Sequence, residues 1–275
     1  MSFYGHKKVS WVKRILLAVM IVTIPFLLAS PRNMTARMLE DSANGTKVVV
    51  LNYHKIDNMN ISLSVLPKDF DAQMAYLKEN GYHTITPDEL YQSLNGDLEL
   101  PENPVLITFD DGYEDNYKYA YPILKKYDFK ATIFVVTSFL GVYNNYLTWD
   151  QAKELEENGI SIESHTVTHK SMTELSDDQL RAELVNSKKA IEDRLGKKVD
   201  YIAYPTGTYN LHIAELVREA GYKAAFTIKY GNVDKASNIY ALERVPVFHT
   251  ENTFKSFLER IQYIPVFERL GWIKS

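Results

Sequence analysis

The chain is 275 residues long, carries 31 Lys and Arg against 35 Asp and Glu for a net charge of −4, and is 45% hydrophobic, 12% aromatic and 24% charged. That balance suits one large domain with an ordinary soluble core and offers no basic field for nucleic acid. Cysteine is absent, which excludes disulfides, thiolate metal sites and a cysteine nucleophile; any metal must be held by His, Asp or Glu.

His6, Lys7, Lys8, Lys13 and Arg14 precede the apolar run Ile15 to Ala29. A basic segment ahead of such a run has the architecture of a signal peptide or an N-terminal membrane anchor, and residues 1–30 are expected to be one or the other. The run is short for a full span, and Pro31 just after Ala29 and Ser30 disfavours cleavage there. Either way the positive-inside bias exports the rest of the chain, secreted or held at the cell surface. Residues 31–46 are polar, lack clear periodicity and read as a tether.

From residue 47 the segments alternate. Lys47 to His54 is a β-branched strand, and Pro67 opens a helix with Phe70, Met74 and Leu77 on one face and Gly81 just past its end. Tyr82 to Thr86 is a short strand, Pro87 starts a helix, and Pro104 to Phe109 is a buried strand followed by a helix through Tyr121 to Tyr127. Next come a strand at Ala131 to Thr137, a helix at Trp149 to Gly159 and a strand at Ile160 to Ser164. Ser176, with Asp177 and Asp178, caps a long helix ending at Gly196. Tyr201 to Pro205, a helix from His212 to Ala220, strands at Tyr222 to Ile228 and Glu243 to Phe248, and a last helix near Phe254 to Ile261 complete the series. Strands alternating with helices across short connections predict an α/β fold with a parallel sheet closed, or nearly closed, into a barrel.

In such a barrel the βα loops gather at the C-terminal ends of the strands. The polar residues at those ends are His54, Asp110 with Asp111, His165 with His169, and Tyr204, Pro205, Thr206 and Gly207. SHTVTH, Ser164 to His169, sets two imidazoles four apart, and a helical turn there would aim both rings the same way. Two histidines and a carboxylate form a ligand set that leaves positions open on a metal. A divalent cation on Asp111, His165 and His169 would neutralise one of the adjacent carboxylates and acidify water, freeing Asp110 to act as general base. An Asp-Gly turn would explain Gly112 but does not need two carboxylates behind a strand.

TFDDG, Thr108 to Gly112, together with HTVTH, His165 to His169, resembles the first two motifs of the metal-dependent polysaccharide deacetylases, the family 4 carbohydrate esterases. The resemblance in element order extends over about residues 47–262. It implies a distorted (β/α)7 barrel, with residues 47–275 as the catalytic domain, and hydrolysis of N- or O-acetyl groups on a glycan. It also implies Zn, Co or Ni as the cation, Asp110 as the base, and Asp111, His165 and His169 as the ligands. The family's third motif, Arg-x-Pro-Tyr or Phe, is here AYPT, Ala203 to Thr206, without the arginine and with threonine for the aromatic.

Ala-Tyr-Pro, LNYH at Leu51 to His54 and ERVP at Glu243 to Pro246 resemble instead the branch that N-deacetylates poly-β-1,6-N-acetyl-D-glucosamine, the biofilm exopolysaccharide. That branch often has one more residue between its metal histidines, which keeps peptidoglycan or another acetylated cell-wall glycan as the alternative substrate. By this resemblance His54 is the general acid. Arg244 either orients Asp110 in place of the missing arginine or is an ordinary surface residue. A backbone N–H near Thr206 would face the oxyanion, with Tyr204 and Pro205 beside it at the substrate. Tyr53, Tyr113, Trp149 and Tyr209 are further candidates for stacking on sugars, whereas His83, His212 and His249 have no convergent partner. The expected partners are an N-acetylglucosamine polysaccharide, no nucleic acid, and the membrane if the N-terminal segment is uncleaved; the expected state is a monomer.

Overall fold

The β-branched run after Lys47 forms the first strand, β1 (Val49–Tyr53). The computed structural model describes residues 47–263; the expected signal or anchor (1–30), the tether (31–46) and the end of the expected catalytic domain (264–275) lie outside the described residues. A small parallel pair, β2 (Lys55–Ile56) and β3 (Ser64–Val65), follows and was not legible in the sequence pattern. Then come α1 (Pro67–Glu79), β4 (His83–Thr84), α2 (Pro87–Asn95), β5 (Pro104–Phe109), α3 (Tyr121–Tyr127), β6 (Ala131–Val135), α4 (Trp149–Glu157) and β7 (Ile160–Ser164). The series ends with α5 (Asp177–Leu195), β8 (Tyr201–Ala203), α6 (Leu211–Glu219), β9 (Ala224–Tyr230), β10 (Leu242–Pro246) and α7 (Thr253–Leu258). Capping chemistry sets the helix starts: Thr86 with Glu89, Thr148 with Gln151 and Ser176 with Gln179 each form a reciprocal capping box.

Seven strands close a parallel ring in the order β1, β5, β6, β7, β8, β9, β10, with β1 paired to both β5 and β10. The eighth expected strand, β4, stays outside the ring. It pairs only with Pro104 and Val105 at the start of β5, whereas β6 joins β5 at Thr108 and Phe109. Side-chain alternation divides the ring into two apolar clusters. Leu51, Tyr53, Ile107, Phe109, Ile133 and Val135 pack outward on helix residues such as Phe70, Met74, Leu124 and Leu155. Val50, Leu106, Phe134, Ala203, Phe226 and Leu242 fill the interior. The same parity that turns Val50, Leu106 and Leu242 inward continues upward to Asn52, Thr108 and Arg244, so the apolar plug ends under a polar layer.

Candidate active site

Asp110 follows the last residue of β5 and is 2% exposed; Arg244, on β10, is 0% exposed. Their side chains form a two-pronged ion pair, Nη1 to Oδ1 at 2.8 Å and Nη2 to Oδ2 at 2.7 Å. Arg244 is therefore no surface residue. Its register slips against β9 between Leu242 and Arg244, and there its Nε donates to the Thr227 carbonyl at 2.7 Å. Nη1 also reaches the Thr108 hydroxyl at 3.2 Å. Asn52 donates to Asp110 Oδ2 at 3.0 Å, and His54 Nε2 lies 4.0 Å from the same oxygen. Burial, the largest single influence, would raise the Asp110 carboxyl, but the Arg244 guanidinium together with His165 and His54 outweighs it and holds the group well below the usual carboxylate range. His54 Nδ1 is buried with no partner among the described residues.

Asp111, the next residue, turns away from the pair because its backbone is left-handed, φ 74°. Gly112 follows, also left-handed at φ 79°, at a place where a Cβ would press on Val135 at 3.0 Å. Asp111 Oδ1 lies 3.5 Å from His165 Nε2 and 3.2 Å from His169 Nε2. One donor atom from each of the three residues falls within 4.8 Å of the others, a group that could hold a metal ion. The donor chemistry fits: His165 Nδ1 donates to the Ala203 carbonyl at 2.8 Å, leaving Nε2 as the lone-pair atom aimed at the group. Burial lowers the affinity of His165 for a proton, which keeps the ring neutral as a ligand must be, while its hydrogen bond to Asp111 raises that of His169.

The expected helical turn at 165–169 does not form. Thr166 and His169 both have left-handed backbone, φ 68° and 58°, so the segment is an irregular loop. The rings converge nevertheless, with centroids 4.8 Å apart. External hydrogen bonds hold the loop: Thr137 and Ser138 amides donate to the Thr166 and Val167 carbonyls, and Glu183 on α5 accepts from Val167 and Thr168. Four of the six non-glycine residues with positive φ among those described, Asp111, Thr166, His169 and Thr206, cluster at these strand ends. Such strain persists only where surrounding contacts enforce it.

Tyr204 does not offer a face to a ligand. It is 0% exposed, its hydroxyl donates to the Tyr240 carbonyl at 2.9 Å, and its ring stacks on Tyr209 at 5.1 Å. Tyr53 is likewise core, donating to Gln73 and stacked on Phe109. Pro205 is buried, and Thr206 is exposed on a turn with φ 59°. Of the aromatic candidates, Tyr113, Trp149 and Tyr209 are half-buried, and Tyr113 stacks on Tyr146 at 4.9 Å. His83 and His212 are exposed and satisfied by the Glu102 carbonyl and Asp177. Gly207, φ 70°, closes the turn, and a Cβ there would collide with the Ile228 side chain. Gly207→Ala is expected to destabilise the protein by about 1–3 kcal/mol, read as a lower urea midpoint at unchanged m.

Sequence reasoning passed over Asn52 and Glu183. Asn52 had a signal, since it lies two residues before His54 and shares its strand face; Glu183 had none, because only the packing of α5 brings it to the loop.

The profile of the family described as Polysaccharide deacetylase matches residues 97–225. YxkH of Bacillus subtilis (strain 168), provisionally assigned as a polysaccharide deacetylase, is 42% identical over 201 residues, 73% of this chain and 71% of that protein. The chain belongs to the polysaccharide deacetylase family. Another such deacetylase, the poly-β-1,6-N-acetyl-D-glucosamine N-deacetylase of Staphylococcus aureus (strain MSSA476), is 28% identical over 241 residues, 77% of this chain and 82% of that one. The solved structure of the Streptococcus pyogenes deacetylase PplD, in complex with acetate, matches with a TM-score of 0.75 at 32% identity, covering 79% of this chain and 99% of that one. The barrel described above is thus the deacetylase barrel.

Proposed function

We propose that this polysaccharide deacetylase hydrolyses N-acetyl groups of an extracellular N-acetylglucosamine polymer with the help of a divalent cation, and that the polymer is poly-β-1,6-N-acetyl-D-glucosamine. The observation that carries the chemistry is the buried Arg244–Asp110 ion pair set beside the Asp111, His165 and His169 group. A cation on that group, of Zn, Co or Ni type, would supply Lewis acidity that polarises the acetamide carbonyl and acidifies nearby water. Asp110, kept ionised and aimed by Arg244 and Asn52, takes the proton of the attacking water. A donor at the Thr206 turn offers a hydrogen bond to the oxyanion, in the polarised environment where such bonds are worth most. His54, 4.0 Å from Asp110 Oδ2, protonates the departing amine, which cannot leave as an anion. The water oxygen bonds to the acyl carbon to give a tetrahedral oxyanion, and the C–N bond breaks as that species collapses onto the protonated nitrogen, yielding acetate and a free amine.

The substrate assignment rests on the arginine's place. Arg244 comes from the ERVP strand rather than from the third motif, the arrangement by which the sequence resembles the poly-N-acetylglucosamine branch, and a relative of that activity aligns over most of the chain. The four-residue spacing of His165 and His169 favours a second reading, a deacetylase of peptidoglycan or another acetylated wall glycan. Export behind residues 1–30, secreted or anchored, would bring the enzyme to either glycan.

Chelation is expected to abolish acetate release and Zn or Co to restore it. With metal restored, β-1,6-linked N-acetylglucosamine oligomers are expected to be turned over on the order of tenfold faster than β-1,4-linked ones. The reverse preference would shift the assignment to the second reading; release from neither, with metal bound, would overturn both.

A further inference from the structure

We propose that Glu183 is a positioning residue for the cation site: its carboxylate sets the conformation of the loop that presents His165 and His169 together. The inference rests on the cation reading above. Both oxygens of Glu183 face the loop. Oε2 accepts the amides of Val167 and Thr168 at 2.7 and 2.9 Å, and Oε1 accepts the Thr168 hydroxyl at 2.6 Å. The clamp thus grips the two residues lying between Thr166 and His169, the two whose backbone is left-handed. A β-branched threonine in that conformation needs outside enforcement.

The two rings depend on the clamp unequally. The Ala203 carbonyl fixes the His165 ring directly. Among the described residues the polar partner of the His169 ring is Asp111, itself a proposed ligand. The placement of His169 therefore comes from its backbone, and the backbone of that loop is held on one side by Thr137 and Ser138 and on the other by Glu183. A carboxylate is suited to the task because it accepts three hydrogen bonds at once and offers no competing donor. Charge assistance strengthens each of them.

Supporting groups of this kind are worth 10–100-fold in metal affinity. In the full chain, Glu183→Ala is expected to weaken Zn2+ binding by about that factor, measured by competition with a chromophoric chelator, and to alter the visible absorption of the Co2+-loaded protein. Glu183→Gln, which keeps one acceptor oxygen, is expected to recover part of the loss, ending about three- to tenfold weaker than wild type. Arg181→Ala serves as the control; it removes an exposed ion pair with Glu219 from the same helix without touching the loop, and is expected to bind Zn2+ as wild type does. Thermal unfolding of the metal-free proteins tells loss of the site from loss of the fold. Should Glu183→Ala fail to fold, Glu183→Gln carries the test. Wild-type affinity in the folded Glu183 variants would overturn this proposal alone, whereas a wild-type protein that binds no divalent cation would overturn the cation reading with it.

Discussion

Asp110→Asn is expected to lower kcat/KM for acetate release by about 10²–10⁴-fold, the range that a positioned general base contributes. The amide is nearly isosteric and still accepts one hydrogen bond from Arg244, but it leaves the buried guanidinium without its counter-charge, so the urea midpoint of the variant is measured alongside to tell loss of the proton acceptor from loss of the fold. Zn2+ binding is expected to persist, because the candidate ligands are Asp111, His165 and His169. Acetate release and metal affinity, measured on the same preparation, separate the two roles. An unchanged rate would mean that another group takes the proton.

Arg244→Met is expected to destabilise the protein by about 3–5 kcal/mol, the cost of leaving a buried charge without its partner. Both side chains are buried, at 0% and 2% exposure, so bulk solvent is a poor substitute for the lost guanidinium. Adding Asp110→Asn in the same chain removes the stranded carboxylate and is expected to restore much of the loss, a coupling that a double-mutant cycle of urea midpoints would measure. The pH dependence should change as well. In the native protein the Asp110 carboxyl lies well below its unfolded value of about 4. Its stabilising contribution is complete above that value and is lost as the pH falls toward the folded one. Without Arg244 the raising effect of burial meets less opposition, with His165 and His54 left to counter it, and the folded value moves up. The acid-side loss contributed by Asp110 is then expected to shrink relative to wild type, and to reverse where the folded value passes the unfolded one. Equal stability of variant and wild type across this range would show that the pair contributes nothing net.

Sequence alone carried the order of strands and helices and the ends at which chemistry collects, because alternation, caps and glycine stops are local properties. The convergence of Asp111 with His165 and His169 was also legible, since residue types and spacing constrain a metal site even when the loop is not the expected helical turn. What stayed open or escaped depended on closure of the ring. Arg244 was a candidate to orient Asp110, but it lies 134 positions away, and nothing local distinguishes an arginine that will be buried inside a barrel from one left in water, so the choice between the two waited for the fold. Tyr204 and Tyr53 looked like exposed platforms for the same reason: a tyrosine at a strand end is polar enough to face solvent and apolar enough to pack, and only the neighbours Tyr240 and Gln73 decide. The outlying place of β4 followed from how early on β5 its pairing falls, a matter of register that composition does not encode.

Because β1 is flanked by β5 and β10, the first strand made during synthesis waits for the last before its second edge is covered. The arginine that pairs with Asp110 rides on that final strand. A partly synthesised or clipped chain ending before residue 242 would therefore lack the counter-charge as well as the seam. The counter-charge to Asp110 and the closing seam arrive together, on one strand.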